Sequence, residues 1–421
     1  MTKNGRAPRV WLVNPFDPVP GSGLRPMRYA GFAEAFAAAG WEVLWLTADF
    51  DHLTRRRRPA PEPIRAVRIE YVHVPPYRGT FSLARVRSHR RYAQALRRHL
   101  LMPGLEPPDA IVASLPLLGA LRAALAYRTA RRCAVIADVQ DLWPEAAGVA
   151  LPRALRAAYR PVCAWLAHRE ARALRVCDGV VGVSETYLAA RAPAGPPRLC
   201  AYLGVDLAAF DQALAAAGEG RHEGNLAAGE SLAVLWAGSL RPAADLPTAI
   251  EAVKRAQRRG VRVRLVVAGD GPSRGACEAL AAHAGLGAAV RFTGAYDLDG
   301  LARLLRQSDV GLNAYVAGAA NSLTNKLFDY QAAGLAILNS VPGEVAALVA
   351  DHGMGLNYEP GRPESLAAAM AALAHDPART AAMGRAARRF AEHHGSRTAI
   401  ARRVVDFVTA LQRAHDGGPS C

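Results

Sequence analysis

The chain has 421 residues, 51% of them hydrophobic and 21% charged, with a net charge of +16. That length exceeds one ordinary core and predicts two domains, and the balance excludes a disordered chain. The charge is lopsided: residues 1–200 hold 30 Lys and Arg against 15 Asp and Glu, whereas residues 201–421 hold 22 against 21. An anionic partner is therefore expected on the N-terminal half, a membrane surface or an anionic acceptor before nucleic acid.

In chain order, "VWLV" (10–13) reads as a first strand. The Gly/Pro-rich turn "NPFDPVPGSGLRPMR" follows, then a helical pattern over 29–39 that Gly40 stops, and "WEVLWLT" (41–47) reads as a second strand. "AIVASL" (110–115), "CAVIADV" (133–139) and "GVVGVS" (179–184) are further strands, with helical segments between them. This alternation predicts a parallel sheet covered by helices on both faces. The pattern restarts with "LAVLWAG" (232–238), "VRLVVAG" (263–269), "VRFTG" (290–294), "VGLNAY" (310–315) and "LAIL" (335–338). The reading is thus α/β, two Rossmann-like doubly wound domains facing a cleft, with strand C-termini toward it. The domains expected are 1–205, 206–395, and a C-terminal helix, 396–421, packing back on the first.

The six cysteines show no CxxC and no metal spacing, so they read as reduced thiols of a cytoplasmic protein. Residues 1–20 lack the apolar core of a signal peptide. The best apolar run, 111–121, stops at Arg122, short of the roughly 20 residues a membrane helix needs.

Two glycine turns follow strands in the second half, Gly238-Ser239 and Gly269-Asp270-Gly271-Pro272. Their backbone N–H groups suit a phosphate, although a plain strand–turn–helix link has the same appearance. Lys326 and Asp329 stand three apart on a helical stretch closed by Gly334, among apolar neighbours. A surface i,i+3 ion pair fits those neighbours poorly. A lysine can meet a diphosphate as a point charge, and a carboxylate can accept ribose hydroxyls.

The ordered series "YLGVD" (202–206), "WAGSL" (236–240), "VVAGDGP" (266–272), "NKLFDYQAAGLAIL" (325–338) and "GMGLNYEPGRPESLAAAM" (353–370) resembles the donor-binding half of glycosyltransferase family 4, of the GT-B fold. The "NKLFDY" form is similar to a subgroup of surface-polysaccharide transferases. The resemblance implies donor contacts at Gly238, Ser239, Arg241, Gly269, Gly271, Asn321, Lys326, Leu327 and Asp329. Asp329 falls where the family carries the second of two glutamates, neutral Asn321 where it carries the first, and Ser239 where it carries an arginine. The "DVQDLWPE" segment (138–145) resembles a D-x-W-P element, which implies Asp138 and Asp141 as catalytic partners of Lys326. Gly21, Gly23 and Arg25 fall on the family's first glycine loop, over the reacting centre.

The activity implied is retaining transfer from a UDP- or GDP-linked sugar to a lipid-linked or glycan acceptor. The rivals are a GT-B nucleotide-sugar epimerase or hydrolase, and a degenerate nucleotide- or membrane-binding subunit. No tightly bound metal is expected: Asp49/Asp51 and Asp297/Asp299 are spaced for one, but nothing else supports it. Between Glu70 and Glu106 stand seven arginines and no acid. Arg85, Arg87, Arg90, Arg91, Arg97 and Arg98 share that stretch with Leu83, Val86, Ala93, Leu96 and Leu100 at helical spacing. This basic amphipathic helix suits the anionic inner face of the cytoplasmic membrane. No nucleic-acid-binding pattern accompanies the charge.

Overall fold

The computed structural model describes residues 6–78, 82–102, 104–131, 133–151, 153–192, 195–218, 230–319 and 322–417. The chain divides into two compact units, Met1–Tyr202 with Arg397–Cys421, and Leu203–Ser396.

The first unit runs β1 (Arg9–Val13), α1 (Arg28–Ala38), β2 (Glu42–Ala48), β3 (Val67–Val72), α2 (Leu83–Leu100), β4 (Ala110–Leu115), α3 (Leu118–Ala130), β5 (Ala134–Val139), α4 (Trp143–Ala150), α5 (Arg153–Leu174), β6 (Gly179–Gly182), α6 (Glu185–Arg191) and β7 (Arg198–Cys200). The second runs α7 (Leu207–Ala216), β8 (Leu232–Ala237), α8 (Leu246–Arg258), β9 (Val263–Ala268), α9 (Arg274–His283), β10 (Val290–Gly294), α10 (Leu298–Arg306), β11 (Val310–Asn313), α11 (Asn325–Ala332), β12 (Ala336–Asn339), α12 (Glu344–Asp351), β13 (Gly355–Asn357), α13 (Pro363–His375) and α14 (Pro377–His394). The last helix, α15 (Arg397–Gly417), returns to the first unit.

The first sheet has the order β3-β2-β1-β4-β5-β6-β7, with every pairing parallel. Every residue of β4 and β5 is buried, as befits central strands covered on both faces. One face packs Tyr29, Phe32 and Phe36 of α1 with Ile400, Val404 and Val408 of α15 onto Leu12, Trp45, Val112 and Ile136. Helices α2 and α3 pack together elsewhere on the unit, and the buried Tyr92 hydroxyl of α2 donates to Leu46 O at 2.6 Å. The second sheet, β10-β9-β8-β11-β12-β13, is likewise parallel. Both are doubly wound, and the strand order reverses between β1 and β4 and between β8 and β11. Such reversals open a crevice beyond the strand C-termini, where ligands bind.

Three strands, β3, β7 and β13, were not expected from the sequence. β3 ("VRIEYV") alternates polar and apolar residues at a sheet edge, while β7 and β13 have only three residues each.

Candidate functional site

In the second unit the residues of interest gather at the reversal between β8 and β11. The β8 turn places Gly238 at φ +152°, and a side chain there would stand 3.0 Å from Lys326 Nζ. The β9 turn packs against it backbone to backbone. A Cβ on Gly269 would meet Gly238 O at 2.0 Å, and one on Gly271 would meet Leu240 O at 2.5 Å. Close approach is therefore what these glycines serve. Two of their N–H groups are already used: Gly238 donates to Ala268 O at 2.9 Å and Gly271 to Asp270 Oδ1 at 2.7 Å. The Ser239 N–H has no partner among the described residues. Ser239 and Arg241 are exposed beside it, and Arg241 Nε donates to Ser239 Oγ at 3.2 Å.

Helix α11 projects Lys326 back onto this turn. Its amine lies 2.9 Å from the Trp236 ring centroid and 5.0 Å from that of Tyr315, a cation–π seat walled by two aromatics. Burial pushes the Lys326 amine well below the usual lysine range, and the Asp329 carboxylate opposes that shift. Asp329, one turn on, is buried as well, and Leu327 points fully into the core. The next residue, Tyr330, ties α11 to the sheet: its buried hydroxyl accepts from Ala237 N at 2.8 Å, one residue before Gly238. Gly311 makes room, because a Cβ there would stand 2.2 Å from the Tyr330 ring. Gly334, at φ +68°, closes the helix. At the adjacent strand ends, Asn313, Asn339 and Asn357 are register partners. Asn313 Nδ2 donates to Asn339 Oδ1, and Asn339 Nδ2 to Asn357 Oδ1, each at 2.8 Å. Asn321 lies outside the described residues. Trp236, Tyr315 and the asparagine row were not singled out from the sequence; each sits at or just past a strand's C-terminal end, a positional signal visible only once the strands are fixed.

In the first unit, Asp138, the penultimate residue of β5, is fully buried. Arg28 grips it with two bonds, Nη2 to Oδ1 at 2.9 Å and Nε to Oδ2 at 3.1 Å, and Gln140 Nε2 reaches Oδ2 at 2.9 Å. The Arg28 guanidinium also donates to Ala201 O and Tyr202 O. Both Asp138 oxygens are thus engaged with the protein. Asp141, in the loop after β5, is only partly buried. Burial raises its carboxyl above the ordinary aspartate value, and the Leu142 N–H and the Arg85 charge pull it down. Gly21 (φ +80°) and Gly23 (φ +70°) shape the loop after β1, where a Cβ on Gly21 would meet Glu62 Cγ at 2.8 Å; Arg25 is half-buried there.

On α2, Arg87, Arg90, Arg91, Arg97 and Arg98 are exposed, whereas half-buried Arg85 bonds His89 Nε2. Tyr92, Leu96 and Leu100 of the same helix are buried, which leaves only Leu83 and Val86 as large exposed apolar groups on it. The two Asp-x-Asp triplets serve local structure. Asp49 pairs with Arg57 and His73, Asp51 accepts from the Leu53 and Thr54 N–H groups, and Asp297 caps α10. Among the described residues, no group of three or more His, Cys, Asp or Glu is placed to hold a metal, and no helix is long and apolar enough to cross a membrane.

Two parallel-sheet Rossmann-like units are the GT-B glycosyltransferase fold. Sucrose-phosphate synthase from Thermosynechococcus elongatus superposes with a TM-score of 0.74 at 20% identity, over 97% of this chain and 100% of that one. The α,α-trehalose 6-phosphate synthase from Burkholderia multivorans gives 0.70 at 14%, over 99% and 100%. Anabaena HepE, solved with UDP-glucose, gives 0.63 at 14%, over 96% and 99%. Residues 231–376, within the second unit, match the family described as Glycosyl transferases group 1. The D-inositol 3-phosphate glycosyltransferase of Streptomyces avermitilis is 32% identical over 195 residues, 44% of this chain; the match spans about two fifths of that relative, 41%.

Proposed function

We propose that the chain transfers a sugar, with retention, from a nucleoside-diphosphate donor to a lipid-linked or polysaccharide acceptor of the cell surface. The observation that carries this reading is the Lys326 amine, buried on Trp236 against the Gly238 turn, one helical turn before Asp329. A diphosphate at that turn supplies the anion that a desolvated amine lacks. Lys326 and the Ser239 N–H then stabilise the charge that grows on the leaving diphosphate, and Asp329 accepts the ribose hydroxyls. A donor phosphate oxygen takes the proton of the incoming hydroxyl on the same face of the sugar. UDP is the first candidate, because HepE was solved with UDP-glucose.

In the first unit, Asp141 is the carboxylate assigned to orient the acceptor hydroxyl, and Asp138 the one that fixes Arg28 behind it. The glycine loop with Arg25 borders that acceptor.

Peripheral attachment to an anionic membrane surface is part of the reading. It is supported by the exposed cations of α2 and by α5. The latter exposes Leu155, Val162 and Trp165, the last 54% accessible, beside Arg160 and Arg172. The Arg169 guanidinium covers the Trp165 ring at 4.5 Å. Apolar groups at helical spacing between cations are what an interfacial helix requires.

The test is Lys326→Ala. Sugar transfer, read as UDP release in the presence of acceptor, is expected to fall by about 100-fold or more, the scale for removing one group that stabilises charge in the transition state. Near-normal turnover in a folded variant would remove Lys326 from this role.

A further inference from the structure

We infer that the first unit holds the acceptor by a phosphoryl group, in a cavity between the loop after β1 and the tight turn after β2. This rests on the transferase reading above and names the acceptor's chemical class. The cavity has about 370 Å³ and is lined by Ser22 and Leu24 on one side and by Asp51, Thr54, Arg56, Arg57, Arg58 and Pro59 on the other; the Asp51 carboxylate there faces Arg58. That volume is at the lower end of small-molecule sites, about 300–1,000 Å³. All of its lining belongs to the first unit, at the C-terminal ends of β1 and β2.

Four consecutive arginines, Arg55 to Arg58, pass this cavity, and the structure divides their work. Arg58 is buried and structural. Its guanidinium donates to Asp17 O at 2.6 Å and Phe16 O at 3.0 Å, and lies 3.6 Å from Asp51 Oδ2. Arg57 pairs with Asp49 at 2.5 Å and donates to Val74 O at 2.9 Å. Arg55 stands on the Tyr77 ring at 5.1 Å. The Arg56 side chain has no partner among the described residues, and it lines the cavity.

The turn that sorts them is held in an unusual conformation. Arg55 has φ +61°, a left-handed backbone that an arginine rarely adopts. Hydrogen bonds from Asp51 N to Arg56 O and from Arg55 N to Asp51 O, both 2.9 Å, keep it there. The result is that four adjacent cations point to different partners and one is left for a ligand. Opposite it, the Ser22 hydroxyl is buried with no hydrogen-bond partner. With Arg58 against Asp51 and Arg57 against Asp49, Arg56 is the lining cation left to meet a phosphoryl oxygen. A neutral sugar hydroxyl would leave that charge unmatched. Arginine, with its planar fork of donors, suits phosphate oxygens.

A soluble sugar phosphate and a prenyl phosphate in a bilayer present the same group, so the test has two arms. In one, calorimetric titration compares glucose 6-phosphate with glucose. In the other, co-sedimentation compares phosphatidylcholine vesicles with and without a prenyl phosphate. Wild type is expected to bind the phosphorylated probe of at least one arm at least tenfold tighter than its unphosphorylated counterpart. Arg56→Gln is expected to lose about tenfold of that affinity or more, the scale of one charge-assisted contact. Arg258→Gln, an exposed arginine at the end of α8 in the second unit, is expected to lose none of it. Binding in the first arm assigns a soluble acceptor, and binding in the second a lipid-linked one. If neither phosphorylated probe is preferred, or Arg56→Gln binds as wild type does, the inference is overturned. UDP binding is measured in parallel, and Arg56→Gln is expected to leave it unchanged. Failure here therefore leaves the donor reading standing, and loss of UDP binding would strike that reading instead.

Discussion

Replacing Asp138 by alanine separates a positioning carboxylate from a chemical one. The wild-type side chain is inaccessible and takes two bonds from Arg28 and one from Gln140. Asp138→Ala leaves the Arg28 cation, itself 3% accessible, without its counter-ion. Removing one partner of a buried pair costs about 3–5 kcal/mol. For a unit of this size, a loss of 1 kcal/mol lowers Tm by roughly 2–4 °C, so a fall of about 6–20 °C is expected in a thermal melt. The double variant Arg28→Met/Asp138→Leu removes both charges and is expected to regain part of the loss. Recovery is partial because Arg28 also serves the Ala201 and Tyr202 carbonyls. UDP release should follow the folded fraction in both variants. A variant that melts like wild type yet turns over 100-fold more slowly would refute this account and make Asp138 a participant in the chemistry.

Tyr330→Phe keeps the ring over Gly311 but strands the buried Ala237 N–H, a cost of about 1–3 kcal/mol. A Tm fall of about 2–12 °C for the second unit checks this, and an unchanged melt would contradict it. For the membrane surface, Trp165→Ser combined with Arg160→Gln, Arg169→Gln and Arg172→Gln removes three cations, each contributing about 1 kcal/mol near an anionic bilayer. Flotation with anionic vesicles should weaken by about 100-fold or more. Equal flotation would reject α5 as the contact.

Much of the fold was legible because its central strands are apolar on both faces, and two of them, β8 and β9, lead straight into glycine. β4, β5, β8 and β9 stand out in the sequence for that reason, and the restart at Leu232 marks the second unit. Of the edge strands, β10 was legible, whereas β3, β7 and β13 were not. β3 mixes Arg68 and Glu70 into its pattern, and β13 is too short to carry a period. At the site, the Lys326/Asp329 pair could be read locally because both lie on one helix. The fate of Asp138 could not, since it depends on Arg28, 110 residues earlier. Nor could the division among Arg55 to Arg58, which follows from one left-handed residue and from carbonyls of the β1 loop. The exposed face of α5 was missed because its apolar residues look like those of any core-facing helix until accessibility separates them.

The central claim is a nucleoside-diphosphate site on α11 and the Gly238 turn. Calorimetric titration of wild type and Asp329→Ala with UDP and with GDP tests it most directly. The account predicts saturable binding of one nucleotide, weakened about tenfold or more in Asp329→Ala, where the ribose loses its acceptor. Absence of binding by either nucleotide, or equal affinity in the variant, would contradict it.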